Sequence, residues 1–330
     1  MKMVPLQQVD LSDQTFSVNF FPDLDRLRAS IRELGLVQPV LLKEKTNGYR
    51  IVSGFRRISV ARELGYGEIE ARIFGEETED LKLFFISLHE NLTSRGFNVV
   101  EKAIALEKLT DHFKVDPAFI ARELLSLFNL ETNEKILNTF LSLARMEEEV
   151  QSYILREEVS RSNIRRLAAW SAEDRKAAMV LLNSLRLGEN SLREMITLIE
   201  EIGKRDRCGI ESIVALPEIQ DTLSHPELTS TQKTERVKKI LTGLRYPRMS
   251  QLETEFERNR RDLNLPPGVS LSHPPFFEGK GLRIGFQFQS IEEYRSVLSS
   301  LSSLGENEEF RAMINPTPPP SPRKGDGHTG

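Results

Sequence analysis

A single cysteine, Cys208, stands in the chain, so no internal disulfide can close and no cysteine-based zinc site can assemble. Long apolar runs are missing too. No stretch reaches the roughly 20 apolar residues that a membrane helix needs, and residues 1–11 lack the charged-then-apolar layout of a secretory signal. A reducing cytoplasm is the expected compartment. Net positive charge is also absent: 45 Lys and Arg stand against 49 Asp and Glu, for a formal charge of −4. A protein held on nucleic acid by bulk charge needs clustered cations, so any DNA contact has to come from a local patch. The one tryptophan, Trp170, falls on an apolar helical face, where a core role outweighs a base-stacking one.

What is present describes a globular chain. Hydrophobic residues make up 39% and charged residues 28% of 330, enough for two or three domains with buried cores. Residues 4–9 form an expected opening strand, and Leu24, Leu27, Ile31 and Leu34 mark one helical face closed by Gly35. Two β-type runs, 40–42 and 49–52, meet at Asn47-Gly48, a hairpin signal. A helix to about residue 64 and a strand at 69–73 complete an α+β domain over 1–95. From residue 77 to about 204 nearly everything reads as helix, with Leu81, Phe84, Phe85 and Leu88 on one face and Ala103, Leu106 and Leu109 on another. The expected helices include 77–91 and, in a helical domain over 96–205, 117–127, 133–143, 147–155, 162–170, 172–185 and 191–204. A helical extension occupies 206–265. In a small unit at 266–305, Leu282, Ile284, Phe286 and Phe288 alternate with polar residues as a half-buried strand does, followed by a helix. A proline-rich tail, 306–330, is expected to lack regular structure.

Two short segments carry chemistry. Ser53-Gly54-Phe55-Arg56-Arg57 lies between a strand and a helix, where N–H groups at a helix start, a glycine allowing close approach and two guanidiniums suit phosphate. Arginines in a first helical turn are also often simply solvated, and both readings stay open on local grounds. Glu90-Asn91 ends the helix 77–91; a carboxylate beside an amide suits Mg²⁺ between phosphates, and equally suits an ordinary helix terminus.

Four runs taken together resemble the ParB family: 35–40 (Gly-Leu-Val-Gln-Pro-Val), 49–57, Glu90-Asn91-Leu92, and 98–103 (Asn-Val-Val-Glu-Lys-Ala). The family's usual forms are Gly-Leu-Leu-Gln-Pro-Ile, a Gly-Glu-Arg-Arg box, Glu-Asn-Leu-Gln-Arg, and Asn-Pro-X-Glu-Glu-Ala. Order and spacing agree over residues 1–112, and a weaker likeness continues to about residue 200. The resemblance implies a CTP-binding domain whose nucleotide closes a dimeric clamp around DNA in chromosome or plasmid partition. By position, Gly54, Arg56 and Arg57 would cradle the triphosphate, and Gln38 would lie beside the nucleotide. Glu90 and Asn91 would hold Mg²⁺, with Glu90 supporting slow hydrolysis. Phe55 stands where the box has Glu, Ser94 where the second box has Arg (Arg95 follows), and Ser59 where a further basic residue is usual.

In the family a helix-turn-helix reads a palindromic centromere-like site. Here that stretch is about 118–143, and Asn133, Lys135, Asn138 and Thr139 are the side chains expected at base edges. The segment is acidic, with Glu123, Glu131 and Glu134, so a helix pair kept for packing is the equal alternative. Arg161, Arg165 and Arg166 are phosphate candidates, as are the basic runs near 204–207 and 236–261. Expected partners are DNA, a second copy of the chain and a partition ATPase, with a nucleoid location and no membrane. A sulfiredoxin-type enzyme needs a cysteine in the phosphate box, which this chain lacks. A nuclease needs converging carboxylates, and Glu90 is alone. The remaining alternative is a CTP-binding adaptor that has lost sequence-specific DNA binding.

Overall fold

Alternating apolar residues build a five-stranded sheet. Its strands are β1 (Lys2–Pro5), β2 (Val9–Asp10), β3 (Val40–Lys45), β4 (Gly48–Ser53) and β5 (Glu68–Phe74), in the order β1-β5-β3-β4-β2. In the computed structural model, which describes residues 1–277, 281–304 and 306–314, β3 and β4 pair as the antiparallel hairpin expected around residue 47. β3 with β5 and β2 with β4 are parallel, and β1 with β5 is antiparallel. Val40 and Leu42 on β3 and Ile69 and Ala71 on β5 point to one buried face, which is the period-two pattern of a half-covered sheet. One expectation shifts. The opening strand is broken by a 3-10 turn, Leu6–Gln8, which buries Leu6 and lets the chain move from the β5 edge to the β4 edge.

Helices α1 (Asp25–Leu34), α2 (Phe55–Glu63) and α3 (Asp80–Ser94) belong to this region. On α1 only Ile31 of the expected face is buried, and Leu34 is 68% exposed. α1 meets α2 where Arg28 pairs with Glu63 at 2.9 Å, and Tyr66, just beyond α2, donates its Oη to Ile31 O at 3.3 Å. α3 buries Leu83, Phe84, Ser87 and Leu88, so its inward face is set by Leu83 and Ser87 as well as the expected Phe84 and Leu88.

The helical part follows with α4 (Val99–Glu107), α5 (Pro117–Phe119), α6 (Glu134–Ala144), α7 (Glu148–Arg156), α8 (Arg161–Ala168) and α9 (Ala172–Leu182). The expected face of Ala103, Leu106 and Leu109 is buried throughout. Regular geometry relaxes in two π-helical turns, Lys108–His112 and Ile120–Leu124. At the first, Lys108 Nζ donates to Gln14 O and to Thr15 O, tying this helix to the segment before α1. Trp170 is half-buried rather than central.

The chain divides into two compact units, Met1–Arg193 and the described residues from Glu194 onward; the expected boundary at 95/96 falls inside the first. α10 (Glu189–Asp206), α11 (Ile210–Val214), α12 (Pro217–Ser224), α13 (Ser230–Arg245) and α14 (Pro247–Asp262) precede the pair β6 (Ser270–Ser272) and β7 (Arg283–Gly285), then α15 (Ile291–Leu304) and α16 (Glu308–Ile314). The strand expected at 282–288 is cut to β7, because a lone three-residue partner offers no sheet face to bury its alternate residues. Phe288 turns to Tyr294 instead, with ring centroids 5.0 Å apart. Within the stretch read as an irregular tail, α16 forms because Phe310 and Met313 pack on the cluster around Phe256 and Leu304. The prolines from residue 315 on lie outside the described residues. Among the described residues no helix is long and apolar enough to cross a membrane.

Candidate functional site

β4 enters α2 through Gly54, whose φ of +100° is left-handed. A Cβ there would sit 2.7 Å from Val40 Cγ1 and 3.0 Å from Val40 Cβ, so both conformation and space demand glycine. This turn aims the start of α2 along the end of the sheet. No side chain caps α2's first turn, which leaves its leading N–H groups for an anion. Phe55 packs partly on the sheet core and also lines the cleft described next.

A cleft of about 190 Å³ opens at this turn, lined by Asn19, Gln38, Gly54, Arg56, Arg57 and Glu90, with Asn91 and Arg95 beside them. Each guanidinium is held. Arg57 donates through Nη1 to the carbonyls of Gln38 (3.2 Å) and Pro39 (3.0 Å), and through Nη2 to Glu90 Oε1 at 2.6 Å. Arg56 donates from Nε to Asn19 Oδ1 at 2.9 Å and from Nη2 to Glu101 Oε1 at 2.5 Å. Arg95 donates from Nη1 to Glu101 Oε2 at 2.7 Å and from Nε to Asn91 Oδ1 at 3.1 Å. Burial, followed by the nearby Arg95, lowers the Arg56 pKa, and Glu101 opposes both. Three cations thus crowd one hollow whose lining, among the described residues, holds one acidic side chain, Glu90. That is an arrangement for a polyanion.

Glu90 Oε2 is buried with no hydrogen-bond partner. Mg²⁺ binds through one or two carboxylates together with phosphate oxygens, and an orphaned carboxylate oxygen beside a phosphate-suited hollow fits such an ion. Asn91 fits less well: its Oδ1 accepts from Arg95, and its Nδ2 donates to Ser87 O at 2.8 Å. No group of three acidic, His or Cys residues suited to a metal occurs among the described residues. Gln38 meets Arg57 through its backbone carbonyl, with an exposed side chain.

The residues expected at DNA are arranged differently. Asn133 caps α6, accepting from Lys135 N at 2.7 Å. Thr139 is 4% exposed and its hydroxyl donates to Lys135 O at 2.8 Å. It cannot reach a base edge, because α6 is packed by α4 and α8. Lys135 and Asn138 remain exposed on α6. Arg161 pairs with Glu131 at 3.0 Å, Arg166 donates to Arg193 O at 3.1 Å, and Arg165 is exposed.

Sequence reasoning missed three residues of the cleft's frame: Asn19, Arg95 and Glu101. Asn98-X-X-Glu101 has the spacing of a capping box, and the box forms. Its further reach to two arginines had no local signal, and neither did Asn19.

Residues 2–92 match the model of the ParB N-terminal domain. The chain is 31% identical over 150 residues to the chromosome-partitioning protein ParB of Caulobacter vibrioides, covering 44% of this chain and 47% of that protein. It is 28% identical over 144 residues to the nucleoid occlusion protein of Halalkalibacterium halodurans, covering 44% and 48%. The chain thus spans about half the length of these relatives. A crystal structure of C-terminally truncated ParB from Caulobacter crescentus complexed with CTP-γ-S aligns at 25% identity with a TM-score of 0.25, over 55% of this chain and 97% of that one. With the motifs at 35–40, 49–57, 90–92 and 98–103 all falling in or just beyond the matched segment, residues 2–92 of this chain form a ParB N-terminal domain.

Proposed function

We propose that the first unit binds CTP, with its triphosphate against the start of α2, and that the protein acts in partition as a nucleotide-gated DNA-binding dimer. One observation carries the reading: Arg56, Arg57 and Arg95 converge with an uncapped helix start on one hollow. Such a hollow offers a chain of phosphates charge-assisted donors from three side chains and free N–H groups from the helix start. Gly54 lets the phosphates approach the backbone, Arg57 and Arg56 supply paired donors, and Gln38 borders the nucleotide. Glu90 would hold Mg²⁺, which when bound offsets phosphate charge; Asn91 joins it only by giving up Arg95. Any slow hydrolysis would depend on Glu90. The choice of CTP and the role in partition rest on the family resemblance and on the relatives' names.

DNA contact is assigned to Lys135 and Asn138, with Arg161, Arg165 and Arg166 on the phosphates. A partition ATPase is the further partner that the partition role implies. A second reading, a CTP-binding adaptor without sequence-specific DNA binding, is favoured by the burial of Thr139 and the pairing of Arg161 with Glu131.

Calorimetric titration of CTP, ATP, GTP and UTP with Mg²⁺ tests the pocket, and only CTP should saturate it. Retention on closed DNA after a high-salt wash separates the two readings. Retention that needs CTP supports the clamp, and CTP binding without retention supports the adaptor.

A further inference from the structure

Ser94 takes the place where the family's second box carries arginine, yet the cleft is not short of a guanidinium. Arg95 lines it beside Arg56 and Arg57. A residue one step further along α3's end projects in a different direction, about 100° around a helix axis, so something must bring Arg95 round. The chain leaves α3 at Arg95 with φ −141° and turns back at Gly96 with φ +72°. Arg95 Nη1 then donates to Gly96 O at 3.0 Å and to Glu101 Oε2 at 2.7 Å.

Glu101 is the anchor of this arrangement. It is 1% exposed and does not line the cleft. Its two oxygens divide between the arginines, Oε1 to Arg56 and Oε2 to Arg95, while Oε2 also accepts from Asn98 N at 3.3 Å as part of the α4 cap. A buried carboxylate needs partners for its charge, and here the two partners come from different elements, Arg56 from α2 and Arg95 from the end of α3. Asn19 Oδ1 completes a ring by accepting from Arg56 at 2.9 Å and from Arg95 at 3.5 Å. Without a countercharge, two guanidiniums this close would repel and swing outward to water.

We propose that Arg95 is the third phosphate-binding guanidinium of this chain, standing in for the arginine absent at position 94, and that Glu101 is the positioning residue that aims Arg95 and Arg56 into the cleft. This rests on the nucleotide reading above and deepens it, explaining how Arg95 comes to stand in the hollow and giving a role to Glu101, which that reading did not use. Glu101 touches no phosphate; it acts through the two arginines. The arrangement sets two side-chain directions with one buried charge and one helix cap.

The test is titration of CTP with Mg²⁺ into the full chain and into Arg95→Ala, Glu101→Gln and the double variant, each checked for its melting temperature. Arg95→Ala should weaken binding roughly tenfold, as expected for losing one charge-assisted contact. Glu101→Gln keeps an oxygen for the Asn98 cap and should lose about as much, with the double variant losing clearly less than the product of the two, since the effects share a path. A merely structural Glu101 would give independent losses that multiply, and that result overturns its positioning role. If Arg95→Ala binds as tightly as the parent, the whole inference fails while the pocket stands. If Glu101→Gln does not fold, Arg95→Ala alone decides. A parent chain that binds no CTP sinks the nucleotide reading instead, and titration of inorganic triphosphate into the parent and Arg95→Ala then decides the role of Arg95.

Discussion

The cleft at α2 and the exposed side of α6 and α8 both carry arginines, asparagines and carboxylates, but they use them in opposite ways. In the cleft the framework serves the side chains. Backbone carbonyls of Gln38 and Pro39, the buried Glu101 and Asn19 hold three guanidiniums around a hollow. On α6 and α8 the side chains serve the framework. Asn133 caps a helix, Thr139 closes onto its own helix, and Arg161 answers Glu131. Polar groups held in place around empty space are organised for a ligand, whereas groups satisfied by their own helix are organised for folding.

The largest expected effect comes from Gly54→Ala. A methyl group would strike Val40 and force a left-handed backbone on alanine, so the first unit should lose about 2–3 kcal/mol, read as a lower denaturant midpoint, with CTP binding impaired alongside. Lys108, which ties the turn after α4 to residues 14 and 15, offers a pH test. Burial lowers its pKa from the ordinary 10.5 to about 8. Between those values the unfolded chain holds more protons than the folded one, so stability should rise with pH across the window. The gain should be about 1–2 kcal/mol in the denaturant midpoint, and Lys108→Met should flatten the rise. Asn133→Ala should cost about 1 kcal/mol as a lost cap, with CTP affinity unchanged; a weakened CTP titration would show that the two regions are not separable in this way. Arg161→Ala should cost under about 1 kcal/mol, because its partner Glu131 is exposed. A loss of DNA retention far beyond that stability change would move Arg161 from the framework side of the comparison to the ligand side.

Much of the sheet region was legible in the sequence because its signals are local. Asn47-Gly48 marks the hairpin, Gly54 the strand-to-helix turn, and alternate apolar residues the covered face. The break at Leu6–Gln8 was not legible, since a short apolar run reads as one strand whether or not the chain changes edge. The π-helical turn at Lys108–His112 was hidden for a similar reason: its apolar spacing continues that of α4. In the cleft, Arg56, Arg57 and Glu90 were found because they lie within compact motifs. Glu101 reaches Arg56 across 45 positions of chain and Asn19 reaches it across 37, separations at which no spacing rule operates. Thr139 was misread because burial on both flanks of α6 depends on where α4 and α8 pack, which local composition does not reveal.

Calorimetric titration of CTP with Mg²⁺ into the parent chain and into Arg57→Ala bears most directly on the central claim. Saturable binding at one nucleotide per chain is expected for the parent, and no measurable binding for the variant at equal melting temperature. Equal affinities for the two proteins, or no heat from the parent, would contradict it.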